Sequence, residues 1–312
     1  MLHLRVTCSA KVTDAVLDSL RNDEGTVHLT VLRGAAVNPP GDLVEADVAR
    51  EAADGVLAAL RALGVDHAGG ITVEPIDTVL SDAADAAEQA SPGDPADAVV
   101  WDELIARTGD DSRLTVTFLA FLTLACLLAV VGVVTNSPVT VVGAMVVGPE
   151  FAPLAAIAVG LVLRRGDLVR RAALALGLGF PLAMIIAAVG ALLGEWTGLI
   201  DPGVLGETKQ VDFIYDVGPF SFIVALLAGA AGMLSLTSAK SAALVGVFIS
   251  VTTVPAAGFA VVAATSGEWG KAGQSALQLL VNLVGIVFAG MLVLLLRTRR
   301  DGRKLGRPLS RG

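Results

Sequence analysis

The sequence predicts a membrane all-α protein with six transmembrane helices and an N-terminal α+β domain of the ferredoxin-like type. Hydrophobic residues make up 54% of the 312 positions, and the mean hydropathy is +0.73. This composition is too apolar for an ordinary soluble domain. Six segments are long enough to cross a bilayer. The first 113 residues, in contrast, are charged and compatible with water, with 21 acidic and 8 basic side chains.

The charge is divided between two regions of opposite character. Residues 114–312 hold 9 acidic and 14 basic side chains, in contrast to the acidic N-terminal region. Such an acidic soluble domain disfavours nucleic acid as a partner. The two cysteines, Cys8 and Cys126, lie in different regions and offer neither a disulfide framework nor a metal cluster, so we expect no cofactor. The N-terminus lacks the basic leader and apolar core of a cleaved signal peptide.

Residues 1–80 show the pattern of a small α+β domain. Apolar residues alternate along the predicted strands and recur at helical spacing between them. The order strand, helix, strand, strand, helix, strand is ferredoxin-like. The predicted elements are a strand over Leu2–Cys8, a helix from Thr13, strands over Val27–Val31 and Asp42–Glu45, a helix over Val48–Leu63 and a strand over Ile71–Ile76. Domains of this type bind regulatory metabolites or pair with copies of themselves, and we expect an assembly or regulatory role and a homo-oligomer.

Residues 81–113 are predicted to connect this domain to the membrane. Ser81–Ala96 is rich in Ala, Asp and Pro and is typical of a linker. Asp97–Thr108 has the pattern of an amphipathic helix with Trp101 on its apolar side. Such a helix either lies at the membrane surface with Trp101 in contact with lipid, or packs against the soluble domain.

Six candidate spans fill the predicted membrane domain, residues 114–296. Positive residues stay on the cytoplasmic side of short loops. The loop after the second span contains four arginines, and the tail from Arg297 onward is basic, whereas the opposite side is mostly acidic. We therefore predict that both termini are cytoplasmic. The predicted spans are Leu114–Val134, Val139–Leu163, Ala172–Gly194, Val217–Leu236, Ala242–Ala264 and Ser275–Leu296.

The basic tail, residues 297–312, has two interpretations. Its arginines Arg297, Arg299 and Arg300 are candidates for contact with anionic lipid headgroups. A plain topology signal explains the same charges.

The second span is predicted to be broken near its middle. Pro149 and Pro153 stand four residues apart within it, and each removes a backbone donor and clashes with the preceding turn. Between them lies Glu150, and a carboxylate at this depth usually faces a protein interior or a wet cavity. A broken helix with a charge at the break is typical of a solute site in a transporter. A kinked packing helix, with Glu150 protonated or bonded to a neighbour, is the alternative.

The six spans divide into two sets of three, which predicts an inverted repeat. Pro153 follows Thr135 by 18 residues, and Pro255 follows Thr237 by the same interval. Chance matches in a sequence rich in Ala, Gly and Val explain this spacing as well. In the repeat, spans two and five face each other near the midplane. The candidate lining residues for a small solute or ion are Met145, Gly148, Pro149, Glu150, Pro153, Ser250, Thr252, Thr253, Pro255, Gln278 and Asn282. For Gln278 and Asn282, hydrogen bonds between helices are an equally good explanation.

Several of these residues carry a resemblance to a known family. The run Val142–Leu154, preceded by Thr135–Pro138, resembles the hallmark of the integral membrane family called domain of unknown function 389. Gly41–Glu51 and Ala98–Trp101 resemble its actinobacterial branch, and the likeness extends over residues 1–296. The resemblance implies a multi-pass protein of the bacterial cytoplasmic membrane with a soluble N-terminal domain. It implies no activity.

An enzyme is the function class that the sequence favours least. It contains no Gly-x-Ser-x-Gly elbow, no His-Glu-x-x-His motif and no phosphate loop, and its three histidines all precede the first span. A transporter or channel for a small solute or ion agrees best with the broken helix. The alternative is a membrane scaffold or sensor without transport activity, assembled through the cytoplasmic domain.

Overall fold

The N-terminal strands form one antiparallel sheet in the computed structural model, which describes residues 1–93, 98–200, 219–238 and 253–305. Its strands are β1 (Leu2–Cys8), β2 (Thr26–Val37), β3 (Pro40–Val48) and β4 (Gly70–Pro75), in the spatial order β2-β3-β1-β4. The helices α1 (Thr13–Arg21), α2 (Ala53–Ala62) and α3 (Val65–Ala68) connect them. A small antiparallel sheet with helices in this region confirms the coarse prediction.

Alternation along β1 determines which face of the sheet is covered. Leu4 and Val6 are buried, whereas Arg5 between them is exposed. The apolar faces of α1 and α2 pack on the same side, where Leu20 and Leu60 join the core. Strand β2 is longer than predicted because its outer half continues the backbone ladder with β3 as far as Val37, without the apolar alternation on which the prediction depends.

One buried carboxylate ties α1 to the β2–β3 hairpin. Asp42 is only 3% exposed. It accepts hydrogen bonds from the Thr13 hydroxyl at 2.7 Å, the Gly34 backbone N–H at 2.8 Å and Arg33 Nη1 at 3.0 Å. The Gly34 N–H, the Thr13 hydroxyl and then Arg33 hold the pKa of Asp42 below its ordinary value, against the opposing effect of burial.

Replacing Asp42 by alanine is expected to loosen the N-terminal domain. The variant removes the carboxylate that accepts from the Gly34 N–H and from the buried Thr13 hydroxyl, and it leaves that hydroxyl with the Ser9 carbonyl, at 3.1 Å, as its acceptor. In the native chain, the lowered pKa means that the stabilisation is complete above an ordinary carboxyl pKa, about 3.9, and is lost as pH falls through the lower folded value. Hydrogen exchange of peptides from residues 9–48 measures both effects.

Asp18→Ala is the matched control, since Asp18 is 71% exposed and pairs only with Arg21 at 3.6 Å. Equal protection in the Asp42 and Asp18 variants at neutral pH would contradict the assigned role of Asp42.

The segment interpreted as a linker contains a helix, α4 (Asp82–Ala90). The Ser81 side chain accepts a hydrogen bond from Ala84 N, and two aspartates lie in the first turn, where they favour a helix start. Ala84 and Ala87 are buried. An apolar stripe made only of alanines is too weak for a periodicity search to separate from a linker.

Helix α5 (Trp101–Asp111) begins against the N-terminal domain. The backbone N–H of Trp101 donates to Asp54 Oδ1 at 3.2 Å. Ion pairs follow from Arg61 to Asp102 at 2.7 Å and from Arg50 to Glu103 at 3.0 Å. One compact unit includes Met1–Leu104. Packing on the soluble domain was one of the two interpretations of this helix, and contact between Trp101 and lipid stays a prediction.

The second unit is built from apolar helices. Its elements are α6 (Val116–Val134), α7 (Pro138–Val147), α8 (Phe151–Val162), α9 (Gly166–Trp196), α10 (Pro219–Thr237), α11 (Val254–Thr265) and α12 (Trp269–Leu305). By length and composition, four of the described helices can each cross a membrane, and the bent pair α7 and α8 makes a fifth candidate. The protein is therefore a multi-pass membrane protein. The predicted fifth span, Ala242–Ala264, lies partly outside the described residues.

Three of the connections between these helices share one kind of tight turn. A residue with positive φ follows the first helix in each: Asn136 after α6, Arg164 after α8 and Gly267 after α11. The N–H of the next residue then donates to a carbonyl five residues earlier, at 2.8–2.9 Å. These turns make α6 and α7, α8 and α9, and α11 and α12 antiparallel neighbours.

Helices α9 and α12 extend beyond the predicted apolar spans. Hydropathy marks only the part of a helix that is apolar, whereas hydrogen bonding continues through charged ends. Helix α12 thus includes residues predicted as a tail and ends at Leu305. Pro181 lies inside α9 without ending it.

Candidate functional site

The predicted break in the second span is present. Helix α7 ends at Val147 and α8 begins at Phe151, with an angle of 52° between them. Gly148, Pro149 and Glu150 form the break, and Pro149 cannot donate a backbone hydrogen bond. Pro153 lies in the first turn of α8, where the missing N–H would have had no partner within the helix.

Glu150 lies at this break and is fully buried, with 0% exposure. The Thr253 hydroxyl, from a position 103 residues away, donates a hydrogen bond to Glu150 Oε1 at 2.6 Å. Glu150 directly precedes α8 and Thr253 directly precedes α11. The N-terminal ends of two helices therefore meet at one carboxylate. Each helix start carries a partial positive charge, which stabilises a negative charge placed there.

Small side chains bring three helices together around this contact. Ala125 and Ala129 of α6, Ala144 of α7 and Val254 of α11 form one buried cluster. Cys126, also buried on α6, interacts electrostatically with Glu150. The site is thus enclosed by the close approach of backbones rather than by large side chains.

Helix α12 adds a row of polar side chains. Ser275, Gln278 and Asn282 are all buried and recur at the spacing of one helix face. The Ser275 hydroxyl donates to the Ala256 carbonyl of α11 at 2.8 Å. Because α11 and α12 are antiparallel, a step of three residues along each from this bond, about 4.5 Å, is expected to bring Gln278 to the same level as Thr253.

The side-chain amides of Gln278 and Asn282 form a long hydrogen bond with each other. Gln278 Nε2 donates to Asn282 Oδ1 at 3.5 Å, within one helix rather than between helices. Within the described ranges, Gln278 Oε1 has no hydrogen-bond partner. An acceptor buried in this way is unusual, because most buried polar atoms are paired.

The structure brings only part of the predicted lining together. Glu150 and Thr253 are in direct contact, Met145 is buried in α7, and Pro255 lies in the first turn of α11. Ser250 and Thr252 lie outside the described residues, as do the side chains of Arg299 and Arg300. Of the predicted lipid contacts, Trp101 and Arg297 are both half-buried.

Sequence reasoning did not identify Ser275 or Cys126 as neighbours of this region. Ser275 was recognisable from its spacing to Gln278 and Asn282, which places all three on one face of a helix. Cys126 gave no such signal, because a cysteine within an apolar span is compatible with simple packing.

Comparison with known proteins matches part of this chain to a protein family. The model of the family described as Domain of unknown function (DUF389) matches residues 145–288. This range begins in α7, includes Glu150, Thr253 and Asn282, and is narrower than the resemblance over residues 1–296. No curated protein and no solved structure matches this chain.

Proposed function

We propose that this membrane protein belongs to the DUF389 family, whose model matches residues 145–288, and that it is a transporter or channel for a small solute or ion. The passage is proposed to form where the broken helices α7–α8 and α11 meet. The family description assigns no activity, so the proposal depends on the site. The observation that supports it best is the hydrogen bond between Glu150 and Thr253 at the facing starts of α8 and α11.

A carboxylate buried at membrane depth is costly, and the two helix starts offset only part of that cost. Discontinuous helices provide backbone groups and helix-end charges that bind ions or polar solutes at membrane depth. Ionisable residues within spans mark such pathways more often than they serve packing alone. Because Glu150 is completely buried in this state, passage requires α8 and α11 to separate at their starts.

The architecture that we propose has six spans arranged as two inverted repeats, with both termini in the cytoplasm of a bacterial cell. The N-terminal sheet has the strand order β2-β3-β1-β4 with antiparallel neighbours, which supports a ferredoxin-like fold. We propose that this domain assembles the protein into a homo-oligomer or regulates it. We also propose that the protein is not an enzyme and binds no nucleic acid.

Accessibility of Cys126 tests whether the site opens to water. The full chain with Cys8→Ser keeps Cys126 as its only thiol, next to Glu150. In membrane vesicles of either orientation, a membrane-impermeant thiol reagent is expected to label Cys126 completely but slowly. Leu80→Cys, at a position 94% exposed, is the fast-reacting control in inside-out vesicles, where the cytoplasmic domain faces the reagent. The added substitution Cys126→Ser is the blank.

Flux through the protein in liposomes is the complementary measurement. We expect uptake of a small solute or ion that depends on the protein and changes in Glu150→Gln. A folded protein whose Cys126 never reacts from either side, and which passes no solute, would instead be the scaffold or sensor without transport activity.

A further inference from the structure

The polar groups around Glu150 indicate which class of solute the site takes. We propose that a small monovalent metal cation, Na⁺ or K⁺, binds at the Glu150 carboxylate, as cargo or as coupling ion. This inference rests on the proposed function for its role in passage. The binding step alone does not require transport.

Charge supports a cation. Among the described residues of the membrane helices, Glu150 is the one buried side chain that carries a formal charge when ionised, and the other buried polar side chains are neutral. In its ionised form, this carboxylate repels anions and attracts cations in a region of low dielectric constant.

The donor set supports a monovalent ion. Glu150 supplies a carboxylate, Thr253 a hydroxyl, and Gln278 an amide oxygen on the same level, so the side chains offer oxygen ligands of the kind that hard cations prefer. Protein sites for Ca²⁺ typically combine several carboxylates. The described residues contain no group of three His, Cys, Asp or Glu side chains able to hold a metal ion. One carboxylate balances one positive charge.

The acceptor of Gln278 is an independent indication. Its Oε1 is buried and lacks a hydrogen-bond partner within the described part of the chain. An additional donor or a cation at this level satisfies that oxygen. The shared level with Thr253 follows from the Ser275–Ala256 hydrogen bond and the antiparallel course of α11 and α12.

Thermal unfolding of the purified full chain in detergent tests the binding step. NaCl or KCl replaces choline chloride at constant ionic strength and at pH 7.5. We expect a saturable rise of several degrees in the unfolding temperature with one of the two metal ions, as for any ligand that binds only the folded state. In Glu150→Gln the midpoint concentration is expected to rise at least tenfold, whereas Glu195→Gln, at the end of α9, keeps the native response.

Glu150→Asp is the second variant, in case Glu150→Gln does not fold. It keeps the carboxylate and is expected to retain a weaker response to the same ion. The proposal is overturned if neither Na⁺ nor K⁺ stabilises the protein. It is also overturned if only Mg²⁺, Ca²⁺ or a change of pH does so, or if Glu150→Gln responds as the native chain does. Flux distinguishes this failure from that of the proposed function. If a cation binds but the protein supports no flux, the cation site stands and the proposed transport function is refuted. If the protein supports flux that no alkali cation affects, the cation site is refuted and the transport function stands.

Discussion

Replacing Gly258 by valine is expected to separate α11 from α6 and to remove most of the folded protein from the membrane. A Cβ atom at Gly258 would lie 2.4 Å from the Ala129 Cβ and 3.0 Å from the Ala129 carbonyl carbon. The atoms that the new Cβ meets are part of the α6 backbone or fixed directly to it, so no side-chain rotation relieves the clash. The two helices must therefore move apart. Overpacking of this kind costs about 1–3 kcal/mol or more.

The expected result is measured as the yield of monodisperse protein extracted from membranes and as its unfolding temperature. Gly273→Val is the matched control, because it is the same change in another membrane helix, where no neighbouring atom among the described residues lies within 4 Å of the new Cβ. Gly258→Ala is expected to have a smaller effect, which Ala129→Gly partly restores by removing the methyl group that it meets. Equal yields for the valine variants at 258 and 273 would show that α6 and α11 do not cross as described.

The consequences of this crossing reach the candidate site. Ala125 and Ala129 belong to the cluster that contains Val254, the residue after Thr253. A shift of α11 away from α6 therefore carries the Thr253 hydroxyl away from Glu150. For this reason, loss of function in Gly258→Val is informative only together with the extraction yield.

The broken span could be predicted because its cause is local. Proline acts on the turn that precedes it, and a glutamate within an apolar run is visible without knowledge of the fold. The same is true of β1, where every second residue is buried and the residues between them are half-buried or exposed. Helix α4 and the full length of α12 were not predicted, because their boundaries lie in alanine-rich or charged sequence that gives no hydropathy signal.

The pairing of Glu150 with Thr253 depends on information that no local pattern contains. The spacing of Pro153 and Pro255 from preceding threonines suggested that α8 and α11 correspond, and it placed Thr253 among many candidates. Selecting Thr253 from these candidates requires knowledge of how α11 packs on α6. That packing depends on the close contact between Gly258 and Ala129. Complementary small residues 129 positions apart in a sequence rich in glycine and alanine cannot be paired by inspection.

Replacing Thr253 by valine is expected to weaken the contact between the two helix starts and to lower the proposed transport at least tenfold. Valine keeps the shape of threonine but lacks the hydroxyl that donates to Glu150 Oε1 at 2.6 Å. Hydrogen bonds to charged groups contribute about 1.5–3 kcal/mol, so a comparable loss of stability is expected. Thr253→Ser retains the donor and is expected to restore most of both properties.

Thr265→Val is the control within the same helix, since the Thr265 hydroxyl only donates to the Val262 carbonyl one turn earlier, at 3.1 Å. A double-mutant cycle with Glu150→Gln measures how much of the Thr253 contribution depends on the carboxylate. The glutamine oxygen can still accept the hydroxyl proton, but a hydrogen bond to a neutral acceptor is weaker, so the valine substitution is expected to cost less once Glu150 is an amide. Independent, additive effects of the two substitutions would mean that Thr253 contributes to packing alone, and that the meeting of α8 and α11 is a structural joint rather than a site through which a solute passes.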